Sequence, residues 1–134
     1  MNNKLNDGAE LLGRVLISAI FILAGFSKIG GFAGTQAYME SMGVPGAVLP
    51  LVILTELGGG LLVLVGLWTR AAAFAVGGFS ALSALLFHAN FADQTQQILF
   101  MKNFAMAGGF LFLVAHGAGG FSIDAWRARK AATP

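Results

Sequence analysis

The chain has 134 residues, of which 57% are hydrophobic and only 10% charged, and its mean hydropathy is +0.77. A soluble domain of that size cannot cover so much apolar surface, so composition predicts an integral membrane protein folded as a single domain. There is no cysteine, which excludes disulfides, thiolate metal sites and dithiol redox chemistry by the chain itself. The net charge of +2 does not point to nucleic acid, because the basic residues flank apolar runs instead of clustering with aromatics.

In chain order, a polar start containing Lys4, Asp7 and Glu10 leads into a first apolar run, about Leu11–Ser27. A cleaved signal peptide is the alternative, but acidic residues before the run and Arg14 inside it suit a basic leader poorly. Gly30–Gly46 comes next, with Phe32, Tyr38 and Met39 beside Gln36 and Glu40. It reads as a short amphipathic or re-entrant segment at the membrane surface, with plain loop as the alternative. The second run, Ala47–Leu67, is introduced by Pro45 and Pro50, and proline suits a first helical turn. Trp68, Thr69 and Arg70 make a tight connection to a third run, about Ala71–Phe87, and the polar stretch His88–Gln97 leads to a fourth, about Ile98–Ala115. Each is long enough to cross a bilayer as a helix, and none alternates as a barrel strand would. The predicted fold is all-α: a transmembrane four-helix bundle with a short interfacial segment between the first two helices.

Counting Lys and Arg orients it. With a cytoplasmic N-terminus, Lys4, Arg14, Arg70, Arg127, Arg129 and Lys130 fall inside and Lys28 and Lys102 outside, which favours both termini in the cytoplasm. Small residues recur at helix-contact spacing, Gly77 with Ala81, Ser80 with Ala84 and Ala105 with Gly109. Such faces allow close packing, within one bundle or against partner helices in a homo-oligomer or larger membrane complex.

The residue that stands out is Glu56, in mid-span and followed by Gly58, Gly59 and Gly60. A carboxylate at that depth is costly unless paired, protonated or hydrated, and an intramembrane ionisable group is a functional candidate by default. At a rise of 1.5 Å per residue Glu56 lies roughly 13 Å below the outer surface and Lys102 roughly 6 Å below it, with Lys28 and His88 close to that surface. Lys28, Glu56, His88, Lys102 and Asn103 therefore define a candidate outward-facing polar pocket. It would take a quinone head group or a small anion, with His88 and Glu56 exchanging protons. Alternatively the bases only snorkel to the interface and Glu56 pairs with Arg14 to lock the bundle. At the inner end Arg14, Arg70, His116 and Asp124 lie at similar depth and read as structural ion pairs between helix ends. His88 and His116 fall at opposite ends, so no metal site is expected. No phosphate loop, nucleophile–base pair or dinucleotide fingerprint is present.

Several pieces occur in a characteristic order. The first helix reads GRVLISAIFILAGFSKI, with Arg14, Gly25 and Lys28; the second reads TELGGGLLVLVGLWTR, with Glu56, Gly59, Gly66 and Arg70. His88 comes after the third helix, Asn103 lies early in the fourth, and GAGGFSIDAW closes the pattern with Gly119, Ser122 and Asp124. In this order the pieces resemble the DoxX family of small four-helix bacterial membrane proteins, from Leu11 to about Ala125. The resemblance implies an inner-membrane location. It also implies a link to redox chemistry, because the family takes its name from subunits similar to parts of a thiosulfate:quinone oxidoreductase and other members are associated with redox partners. Without cysteine, electrons would have to come through a partner, a bound quinone or a cofactor not visible in the sequence. Two functions are thus expected: a redox-linked membrane subunit with a ligand pocket around Glu56, or a non-catalytic subunit or small-solute carrier in which Glu56 is structural.

Overall fold

The computed structural model describes residues 3–133. Among the described residues there are seven α-helical segments: α1 (Asn3–Gly30), α2 (Phe32–Ser41), α3 (Leu49–Ile53), α4 (Gly59–Val65), α5 (Thr69–Phe87), α6 (Gln94–His116) and α7 (Ile123–Ala132). A 3-10 turn at Gly46–Val48 precedes α3, and a π-helical turn at Leu54–Gly58 joins α3 to α4. These pieces make one continuous second span, Gly46–Val65, so among the described residues four helices are long and apolar enough to cross a membrane. The segment between the first two spans is the helix α2.

Burial runs opposite to that of a soluble bundle. Along α1 the buried residues are Arg14, Ser18, Phe21 and Gly25, while Leu12, Leu16, Ile20 and Leu23 are exposed on the other side. The spacing of each set keeps it on one helical face. Exposed leucines are at home against acyl chains, and the polar stripe is what the other helices cover. The core is small, centred on Phe21, Val63, Ala72, Ala73, Val76 and Phe110. The rings of Phe21 and Phe110 meet edge to face with centroids 5.4 Å apart.

Close approach replaces bulky interdigitation at the helix contacts. A Cβ on Gly77 would stand 2.8 Å from Cβ of Phe110, so α5 and α6 meet there almost backbone to side chain. Beside it Ser80 Oγ donates to the Asn103 carbonyl at 2.9 Å. One Cβ on Gly60 would stand 2.9 Å from Ile22 of α1, and one on Gly59 would collide with Val76 of α5. The consecutive glycines thus let the second span touch two neighbours at once.

At the end that carries both termini, charged side chains engage main chain. Arg14 donates through Nη1 to the carbonyls of Val63 (3.3 Å) and Leu64 (2.9 Å), and through Nη2 to that of Phe121. Val63 and Leu64 belong to the last turn of α4, where carbonyls run out of helical donors; the Val63 carbonyl also accepts from Gly66 N at 3.2 Å. Gly66, at φ 72°, ends that helix in the left-handed region, where a Cβ would also press on Arg14 and Ala118. Asp124 does the converse for α5: its carboxylate accepts from Trp68 N (2.8 Å), Thr69 N (2.9 Å) and Thr69 Oγ1 (2.7 Å). Trp68 sits at φ 48°, and these bonds hold it there. Arg14 and Asp124 therefore serve as the C-terminal and N-terminal caps of one tight turn, where an ion pair between helix ends was expected. Arg70 is exposed, with its guanidinium beside Gly117.

Candidate functional site

Glu56 occupies the middle of the π turn and is 4% exposed. Such a turn inserts one extra residue into the helix and rotates the residues beyond it, a distortion that recurs at functional sites. Across from it on α1, Gly25 lies so close to Leu57 that a Cβ would stand 2.8 Å from the Leu57 nitrogen. Three residues on, roughly one turn, Lys28 comes level with the carboxylate, and its Nζ lies 2.7 Å from Glu56 Oε1. The lysine side chain keeps 28% of its surface exposed, so the cation reaches the pair from the wetter side. Glu56 pairs with Lys28, and Arg14 is committed elsewhere.

The pair forms one wall of a cavity of about 200 Å³. The second span adds Val52 and α2 adds Thr35, Tyr38 and Met39; Phe79, Ser83, Phe87 and His88 come from the end of α5 and just beyond it. Tyr38 and Phe87 stack, with centroids 5.6 Å apart and planes 24° from parallel, so α2 is fastened across the mouth by an aromatic pair. Gln36 Nε2 donates to the Gly46 carbonyl at 3.0 Å and ties α2 to the start of the second span. His88 Nδ1 lies 2.8 Å from Gln96 Oε1. With the amide oxygen accepting, Nδ1 is the donor of this bond. The cavity thus offers an ammonium, a carboxylate, an imidazole and hydroxyls within aromatic walls.

Of the predicted pocket residues, Lys28, Glu56 and His88 come together here. Lys102 is exposed on α6, and Asn103 gives its main-chain carbonyl to Ser80; neither lines the cavity. Sequence reasoning did not assign Thr35, Tyr38, Met39 and Ser83 to the site. The aromatic and hydroxyl residues of the Gly30–Gly46 segment were the available signal, since a surface helix directly after the span bearing Lys28 can fold back only over that end of the bundle.

Comparison with known proteins bears on this arrangement. The DoxX family model matches residues 9–89, a stretch that includes Lys28, Glu56, α2 and His88. The chain is 54% identical over 121 residues to inner membrane protein YqjF of Escherichia coli strain K12, covering 90% of this chain and 93% of that one. It is 34% identical over 122 residues to inner membrane protein YphA of the same organism, covering 85% and 86%. It is also 40% identical over 70 residues to a Bacillus subtilis strain 168 protein named "Putative oxidoreductase CatD", covering 52% of each chain. No solved structure matches.

Proposed function

Since this chain belongs to the DoxX family and is a multi-pass inner-membrane protein, we propose that it is a redox-linked membrane subunit that holds a quinone head group or a small organic anion beside the Lys28–Glu56 pair. The observation that carries this reading is the buried ion pair opening on the aromatic-walled cavity. At about 200 Å³, the space is below the range of roughly 300–1,000 Å³ typical for drug-sized ligands, and suits a single ring or a compact anion. Lys28 supplies a cationic donor to a carbonyl or carboxylate oxygen, the Tyr38–Phe87 pair covers a ring face, and His88 and Glu56 exchange protons with the bound group. Reducing a quinone to a quinol takes two electrons and two protons. In this reading a redox partner protein brings the electrons and the cavity handles the protons. The oxidoreductase name of a relative matching half of the chain agrees with this class of chemistry. Six Lys and Arg at the end with the termini against two on the opposite side support cytoplasmic termini, so the cavity faces the periplasmic side.

The experiment is thermal unfolding of detergent-purified protein titrated with a short-chain quinone. The expected result is a saturable rise in melting temperature for wild type and none for a folded Glu56→Gln variant. A wild-type protein indifferent to the quinone, and equally to small carboxylates, would instead favour a non-catalytic subunit or carrier in which the pair only holds helices together.

A further inference from the structure

The second span and α5 part toward the end that carries the Lys28–Glu56 pair. α5 packs closely along α4 but not along α3, and the gap between α3 and α5 holds a cleft of about 300 Å³. Val48, Leu51 and Thr55 line it on one side and Ala75, Gly78 and Leu82 on the other. The Thr55 hydroxyl donates to the Leu51 carbonyl at 2.8 Å, so these walls present an apolar surface. Leu51 and Leu82 are exposed, and the cleft therefore opens to lipid. A wider groove shares Thr55 and Ala75 with it and continues between the same two spans as far as Trp68. From Val48 to Val65 the seam runs about 25 Å at helical rise, most of the roughly 30 Å hydrocarbon depth of a bilayer.

This cleft backs onto the Lys28–Glu56 cavity. Met39, Val52, Phe79, Ser83 and Phe87 line both spaces, so side chains from three helices part them. Such side chains change rotamer without moving a helix, and methionine most readily of all. On the water side, by contrast, α2 lies across the mouth, fastened by the Tyr38–Phe87 stack. Ser83 sits at the junction. Ser80, one turn earlier, donates to the Asn103 carbonyl, whereas Ser83 Oγ has no hydrogen-bond partner among the described residues. Its hydroxyl is free to donate and to accept where the polar cavity meets the apolar cleft.

We propose, on the reading that the Lys28–Glu56 cavity takes the head group, that its ligand is a membrane-dissolved amphiphile: a polar ring on an alkyl or isoprenoid tail. The ligand enters sideways between α3 and α5 and leaves its tail in the apolar cleft. The head cavity, at about 200 Å³, has room for one ring and none for a chain, so a tail must leave it, and the cleft is the apolar exit. Ser83 Oγ donates to a ring oxygen at that exit. Moving a tail from acyl chains into the cleft gains little hydrophobic free energy, since both are apolar. The cleft therefore selects by shape, and the small side of Ala75 and Gly78 keeps the path open. A small water-soluble anion would use neither the cleft nor the route from lipid.

The test compares a tail-less benzoquinone with its decyl-chain analogue, titrated against melting temperature in detergent with concentrations referred to the micellar phase. Wild type is expected to bind both. Ala75→Phe adds a ring to an exposed wall of the cleft; it should weaken the decyl analogue about tenfold and leave the tail-less ring unchanged. Equal affinity of the decyl analogue for both proteins, or binding of the tail-less ring alone, overturns the tail cleft and leaves the head-group reading standing. Binding of neither quinone removes the head-group reading and the cleft with it. Wild type also gives a readout that needs no variant. A photoreactive diazirine at the end of the decyl chain should label the cleft walls, Leu51 and Leu82 among them, and labelling of α6 instead refutes the site.

Discussion

Gly25 packs directly on the backbone of Leu57, and that contact sets the height at which Lys28 meets Glu56. A methyl group on Gly25 would stand 2.8 Å from the Leu57 nitrogen and 2.9 Å from its Cβ. Neither neighbour is the free end of a flexible side chain, so α1 must shift away from the π turn. Gly25→Ala is therefore expected to destabilise the protein by about 1–3 kcal/mol, the usual range for overpacking, and to weaken ligand stabilisation at the cavity. Gly78→Ala, in α5 with open space around it, is the control and should be neutral or slightly stabilising through helix propensity. Melting temperatures of the two variants side by side check the contrast.

The Lys28–Glu56 pair is asymmetric, and its single variants should be too. Glu56 is deeply buried whereas Lys28 is part-exposed, so a lysine left alone can swing toward the interface and a glutamate left alone cannot. Lys28→Met is expected to cost about 3 kcal/mol, as for a buried charge stripped of its partner. Adding Glu56→Gln to Lys28→Met should recover most of that loss. A double-mutant cycle measured by detergent unfolding reads this directly; a double variant no more stable than Lys28→Met would show that the lysine contributes by packing and not by charge.

How far these features could be read from sequence depends on what periodicity encodes. Four apolar runs state four spans, and the polar stripe on α1 is set by the spacing of Arg14, Ser18 and Gly25. The π turn is invisible, because one extra residue in an already apolar run leaves the hydropathy pattern unchanged. Helical rise gives the height of Lys102 but not which side of α6 it faces; α6 turns Phe110 to the interior and leaves Lys102 exposed. Arg14, Arg70 and Asp124 suggested ion pairs because charges are visible in a sequence, whereas the end carbonyls of α4 and the first amides of α5 are not. The helix α7 carries its own sequence signals: Ser122 caps it by accepting from Ala125 N at 3.1 Å, Asp124 lies in its first turn, and Arg129 and Lys130 lie in its last.

The cap made by Asp124 predicts a response to acid. Burial alone would raise this carboxyl, but hydrogen bonds from Thr69 and Trp68, aided by the Arg127 charge, outweigh it and hold Asp124 below the usual carboxylate range. A depressed value in the folded state means stability that is complete above the unfolded value, about 3.9, and is lost as pH falls through the folded one. Wild type should therefore lose stability below about pH 4, and Asp124→Asn should show less of that loss. At neutral pH the same variant should be weaker by about 1 kcal/mol, typical of a compromised N-cap. Unfolding of both proteins across that pH range, at constant ionic strength, gives the comparison.

The cavity can serve a periplasmic ligand only if the end bearing Lys28 and His88 faces outward. A chain with no native cysteine allows this to be tested by single introductions. Ala92 lies exposed in the connection between α5 and α6, and Ala131 lies exposed near the end of α7, at the opposite end of the bundle. With the basic residues drawn to the cytoplasmic side, Ala92→Cys should react with a membrane-impermeant maleimide in intact spheroplasts, and Ala131→Cys only after lysis. The reverse pattern would invert the bundle and turn the Lys28–Glu56 cavity to the cytoplasm.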